Sequence, residues 1–148
     1  MINNRKDFMN LLETKRNAGK VTCCVRKMDT TGTAVVDSFV KELGFRPIGE
    51  KWEQITQHEA RNILMYLFSM DMAYDAELES KPLADELSDY FLSTFSLQSK
   101  IFTAGYFEEN SGFFKLQTWE PITDATFDTG IVVLDANKIG ILWVEDED

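Results

Sequence analysis

The sequence predicts an α+β protein, with about four helices in the N-terminal two-thirds packed on a C-terminal antiparallel β-meander of about four strands. Three observations carry that expectation. Apolar residues recur at helical spacing in four separate segments before residue 96. Past Phe95 this spacing gives way to runs of β-branched and aromatic residues parted by turn formers. Helices gathered ahead of strands, instead of alternating with them, favour helices laid over one face of an antiparallel sheet. The chain has 148 residues, 44% of them hydrophobic, enough for one core of ordinary size, so a single domain over residues 1–148 is expected.

The elements follow in order. Asn3 or Asn4 caps a first helix over residues 5–18, with Phe8, Leu11 and Leu12 on its apolar stripe and Gly19 as its stop. Residues 21–28 read as a short strand or extended connection. After the turn signal Asp29-Thr30-Thr31-Gly32, a second stripe runs through Val36, Phe39, Val40 and Leu43 and ends at Gly44, with Pro47 beyond it. Thr56-Gln57-His58-Glu59 is a capping box and opens a central helix carrying Ala60, Ile63, Leu64, Leu67 and Phe68, expected to reach Asp75 or beyond. Ser80 and Pro82 open a fourth helix with Leu83, Leu87, Phe91, Leu92 and Phe95 on one face. Strands are expected over 100–107, 113–119, 127–134 and 139–144. Asn110-Ser111-Gly112 and Asp135-Ala136-Asn137 serve as hairpin connections, and Ile131–Leu134, which lacks alternation, belongs at the sheet centre.

Charge is the largest anomaly. The chain carries a net charge of −10, unevenly placed: residues 1–51 hold ten Lys/Arg against six Asp/Glu, 71–89 one against seven, and 120–148 one against eight. Only the N-terminal third could present a basic face, which argues against direct nucleic-acid binding and for a basic protein partner. No apolar run follows the N-terminal residues that could act as a signal peptide or membrane span, so a cytoplasmic location with no membrane contact is expected. The adjacent Cys23 and Cys24 suit a reducing compartment, with one of them serving as a core residue in a strand and a reactive or metal-binding pair as the sharper alternative.

Motifs for chemistry are wanting. The single histidine, His58, falls on the first turn of a helix, an exposed place, with no nucleophile evident beside it. Glycines are scattered singly, without a phosphate loop, and Cys and His do not cluster at zinc spacing. No catalytic residue, cofactor or metal site is therefore assigned. Asp71, Asp75 and Glu79 share a helical face if the central helix reaches them, and could then touch a hard cation, though solvated surface is the plainer reading. What remains is aromatic residues beside carboxylates: Tyr74 with Asp71, Asp75, Glu77 and Glu79, Trp119 with Glu120, Asp124 and Asp128 in the following segment, and Trp143 before the tail Glu145, Asp146, Glu147 and Asp148. Tyr and Trp anchor interfaces while carboxylates steer a cationic partner, so these acidic residues with Tyr74 and Trp119 form the expected partner-binding set. A frayed, solubilising tail is the alternative for residues 145–148.

The stretch from Leu64 to Phe95, with Asp71-Met72-Ala73-Tyr74-Asp75-Ala76-Glu77 inside it, and the stretch from Trp119-Glu120-Pro121 to Trp143-Val144-Glu145-Asp146-Glu147-Asp148 resemble small bacterial immunity proteins paired with polymorphic or contact-dependent inhibition toxins. The resemblance is one of style over about half of the chain: small, acidic, α+β and rich in aromatic–acidic pairs. It implies a non-enzymatic cytoplasmic protein that neutralises a cognate toxin domain by binding it, and the sign of the charge fits a basic one. Two alternatives stay open: an acidic nucleic-acid mimic from a phage or mobile element, and a small enzyme or ligand-binding module whose site is assembled from distant residues.

Overall fold

The computed structural model describes residues 2–30, 34–110 and 113–148. Helix α1 (Arg5–Lys15) starts at Asn4, whose side chain accepts from the Asp7 N–H at 2.9 Å, and strand β1 (Lys20–Lys27) follows. Helix α2 (Val35–Glu42) and a 3-10 turn at Gly49–Lys51 lead to the short strand β2 (Glu53–Ile55). Helix α3 (Gln57–Ser69) opens on the expected capping box, with both reciprocal bonds at 3.1 Å. Strands β3 (Met70–Asp71) and β4 (Ala76–Glu77) make a small hairpin, and a 3-10 turn at Lys81–Leu83 containing Pro82 runs into helix α4 (Ala84–Ser93). The remainder is β5 (Lys100–Thr103), β6 (Gly105–Asn110), β7 (Phe113–Trp119), β8 (Phe127–Leu134) and β9 (Lys138–Asp146).

The class is α+β, with four α-helices among the described residues, but the strands are not a C-terminal meander. The main sheet is antiparallel in the order β1-β9-β8-β5-β2. Its two edge strands come from the N-terminal half, so strands are spread through the chain. The expected strand 100–107 breaks at Ala104: β5 stays in the sheet, while β6 pairs with β7 as a separate ribbon. Local patterns identify strands but carry no information about partners distant in sequence, which is why β1 could be recognised as extended without its place beside β9. Ser111 and Gly112 of the expected β6–β7 connection, and Thr31 and Gly32 of the expected turn, lie outside the described residues.

Strand alternation divides the interior. Ile131 and Val133 of β8 with Leu142 and Val144 of β9 face α1, α3 and α4, meeting Phe8, Leu12, Leu64, Leu67 and Phe91. Val132, Ile139, Ile141 and Trp143 face the other way and meet Phe39 and Val40 of α2. Both faces are thus covered, which accounts for the unbroken apolar run Ile131–Leu134 at the sheet centre. Gly130 lies opposite Trp143, and a Cβ there would come within 2.0 Å of the Leu142 carbonyl oxygen, so only glycine lets β8 and β9 approach.

Among the described residues no helix is long and apolar enough to cross a membrane. Cys23 packs toward the helices and Cys24 toward α2, both as free thiols on opposite faces of β1. Burial pushes the Cys23 thiol up to about 11.

Candidate functional site

The central helix stops at Ser69, short of the expected Asp75, and the reason lies elsewhere in the chain. An α-helix leaves its last carbonyls unpaired. Here Arg16 Nε donates to the Leu67 carbonyl at 2.8 Å, the Ser80 hydroxyl donates to that of Phe68, and the Leu78 N–H donates to that of Ser69 at 2.9 Å. A guanidinium at this end also complements the helix dipole. Tertiary partners therefore cap α3, and the chain leaves it as the β3–β4 hairpin. Asp71, Asp75 and Glu79 consequently share no helical face, and the basis for a cation site there disappears.

Arg16 and Asp146 form the base of this region. Arg16 follows Phe8 and Leu12 on the buried stripe of α1, and Asp146 continues the inward phase of Leu142 and Val144 on β9. Their side chains are 0% and 1% exposed and meet as a two-pronged pair, with both N–O distances 2.9 Å. The other guanidinium donors go to the carbonyls of Leu67, Ala18 and Met70, so all five N–H groups of Arg16 are taken. Asp146 also accepts from the Met72 N–H at 2.9 Å, which ties β9 to the hairpin. The two acidic segments therefore meet in space. Gly19 is close-packed against the pair, since a Cβ there would overlap Asp146 Oδ1.

This placement corrects part of the expected binding set. Asp146 is internal, so residues 145–148 are no frayed tail: Glu145 and Asp146 belong to β9, and Glu147 accepts from the Thr126 hydroxyl at 2.7 Å. Asp148 is exposed and 3.4 Å from the same hydroxyl. Asp128 is fully buried and accepts from the N–H groups of Ile122 and Thr123, the Thr123 hydroxyl and Trp143 Nε1. Neither Asp128 nor Asp146 is reachable by a partner. Trp143 is likewise core, edge-on to Trp52, whose indole N–H goes to Asp37.

The other expected residues divide by exposure. Tyr74, 65% exposed, stands on the turn of the β3–β4 hairpin. Beside it Asp75 adopts the left-handed conformation, φ 52°, and pairs with Lys115 of β7 at 2.6 Å. Glu77 pairs with Lys81 at 2.7 Å, while the exposed Glu79 pairs with no cation among the described residues and its N–H is held by Asn17. Asp71 is half-buried and accepts from the Ala73 N–H, an arrangement that shapes the turn. Trp119 packs on Phe127, and Glu120 and Asp124 bind Lys51 and Arg46 away from the hairpin. Half-buried Glu145 lies in β9 opposite Lys20 and Asp128. His58 is exposed, with its Nε2 3.3 Å from the Asn62 side-chain amide.

Between α3, the hairpin and the β6–β7 ribbon lies an open groove of roughly 650 Å³. Met65, Met70, Tyr66 and Phe114 form its apolar floor, and Asp75, Glu77, Glu109, Lys81 and Lys115 stand around it. Tyr66 is set edge-on to Phe107 and Phe114, which stack on each other at 5.1 Å. Burial, with the Asp75 carboxylate nearby, pushes the Tyr66 hydroxyl up to about 12, so it stays protonated at neutral pH. Sequence reasoning missed this floor because its residues come from separate elements. It also missed Arg16, although a charge on the apolar stripe of Phe8 and Leu12 was a usable signal.

No family model, no curated protein and no solved structure matches the chain.

Proposed function

We propose that the protein is a non-enzymatic binding protein that neutralises a basic protein toxin domain by occupying it with the β3–β4 hairpin and the groove beside it. The observation that supports this most is Tyr74, a large aromatic side chain left in solvent among Asp75, Glu77 and Glu79. Aromatic anchors with surrounding carboxylates suit a cationic protein surface: the ring supplies contact area and the charges steer encounter. The hairpin is held from beneath by the Arg16–Asp146 pair and from the side by Asp75–Lys115, so little ordering remains for binding to demand. The apolar floor adds a place for the aliphatic stem of an incoming Lys or Arg.

The test is capture followed by rescue. The immobilised chain should retain a basic protein from a lysate of its source, and a Tyr74→Ala/Glu79→Gln variant should retain far less. Cells expressing the captured partner should stop growing and recover when this chain is co-expressed. Capture unaffected by the variant, or a partner without toxicity, would reject the reading.

A further inference from the structure

Strand β1 is an edge of the main sheet and pairs with β9 at all eight of its positions without a bulge. Its backbone orientation can be read from two bonds. The Met28 N–H, one residue beyond the strand and in the same register, donates to the Asn137 carbonyl on the β9 side at 3.0 Å. In an antiparallel ladder the bonding direction alternates, so even-numbered residues of β1 bond toward β9 and odd-numbered ones turn outward. The Cys23 carbonyl agrees, since it accepts from Arg5 Nη2 of α1 at 3.5 Å. Val21, Cys23, Val25 and Lys27 thus aim N–H and C=O groups away from the sheet, and among the described residues no strand pairs with them.

A regular edge that pairs with no further strand is a template for an added one, and natural proteins blunt such edges with proline, a bulge, a very short strand, a covering helix or loop, or charged side chains, above all lysine. Lys20–Lys27 has no proline and no bulge, and its guard is charge, with Arg5 of α1 reaching the Cys23 carbonyl. The charges select what fits. Lys20, Arg26 and Lys27 are exposed and the strand contains no carboxylate, although the protein as a whole has a net charge of −10. Two copies paired antiparallel about the middle of β1 would set Lys20 against Arg26 or Lys27, which like-charge repulsion opposes. A strand with carboxylates at both ends and small or apolar residues beside Thr22, Cys23 and Cys24 meets no such conflict.

We propose that the β1 edge is a second interaction site, which takes an extended acidic peptide segment of another protein by antiparallel strand addition. It is independent of the hairpin and takes a ligand of opposite charge to the partner proposed for it.

The test uses two blocked octapeptides, EEVTTVEE and KKVTTVKK, with the full-length protein. Saturating EEVTTVEE should slow hydrogen exchange at the Val21, Cys23 and Val25 amides by roughly tenfold or more, and KKVTTVKK should not. A Lys20→Glu/Lys27→Glu variant should weaken EEVTTVEE binding by about tenfold and favour the lysine peptide. Arg26 is left in place because it pairs with Glu42. Unslowed exchange at those three amides, equal effects of the two peptides on the unaltered protein, or a dimer of this chain protecting the same amides would each overturn the proposal.

Discussion

Replacing Asp146 by Asn, Arg16 by Met, and both together measures how the acidic segments are held. Asp146→Asn keeps shape but leaves the guanidinium without its counter-charge and sets an amide N–H against it. Breaking one side of a buried pair costs about 3–5 kcal/mol, and the lower end applies because the carbonyls of Leu67, Ala18 and Met70 still receive Arg16. Arg16→Met strips those three carbonyls and leaves Asp146 with only the Met72 N–H, so its cost should approach about 5 kcal/mol. That is a large part of a total stability of about 5–15 kcal/mol. The double variant has no buried charge at the site and should cost less than the sum of the singles by about 2 kcal/mol or more. In urea, with a slope of about 2 kcal/mol/M, a 3 kcal/mol loss lowers the midpoint by about 1.5 M. Singles below about 1 kcal/mol, or costs that add within about 0.5 kcal/mol, would refute the reasoning.

Removing Glu145–Asp148 should destabilise the protein by at least as much as Asp146→Asn, which thermal unfolding of the truncated chain checks; an unchanged melting temperature would return these residues to the status of a loose tail. Leu67→Ala and Phe91→Ala, at 0% and 2% exposed positions, should each cost about 2–5 kcal/mol in chemical denaturation, and values under about 1 would contradict the assigned helical faces. Asp128→Ala strands the Trp143 indole N–H and two backbone N–H groups and should cost about 3 kcal/mol, with a shift in tryptophan fluorescence as a second readout. Stability should fall with rising pH: Cys23 and Tyr66 keep their protons up to about 11 and about 12 when folded, whereas the unfolded chain loses them from about 9 and about 10, so this contribution is complete below about 9 and is lost above it. Urea midpoints at pH 8 and 10 that are equal, or higher at pH 10, would contradict this, and Cys23→Ala should remove the earlier part of the fall.

The elements were legible wherever a local signal marks them. Asn4, the Thr56–Glu59 box, Gly44 and Pro82 each act within a few residues of the turn they specify. The end of α3 was not legible, because the apolar pattern continues past Ser69 with no Gly or Pro, and the groups that stop the helix are Arg16 and Ser80. Sheet order was hidden for the same reason: β1 and β9 pair across most of the chain. Within the site, Tyr74 and its neighbouring carboxylates stood out in sequence and lie at the surface. Asp128 and Asp146 were read by charge as surface, yet both continue the inward phase of the apolar residues on their own strands. On β8 and β9 residues of both phases are buried, so the place of these strands at the sheet centre, which composition does not show, put both carboxylates inside.

The central claim is that the hairpin around Tyr74 receives a cationic protein, and association kinetics with the captured partner at two salt concentrations test it most directly. Glu77→Gln/Glu79→Gln should lower the association rate several-fold and flatten its salt dependence, because exposed charges act mainly on encounter. Tyr74→Ala should raise the dissociation rate, and neither variant should shift the melting temperature appreciably, since these side chains are exposed. Association and dissociation rates and a salt slope that match the unaltered protein in both variants would contradict the claim and leave the hairpin as solvated surface.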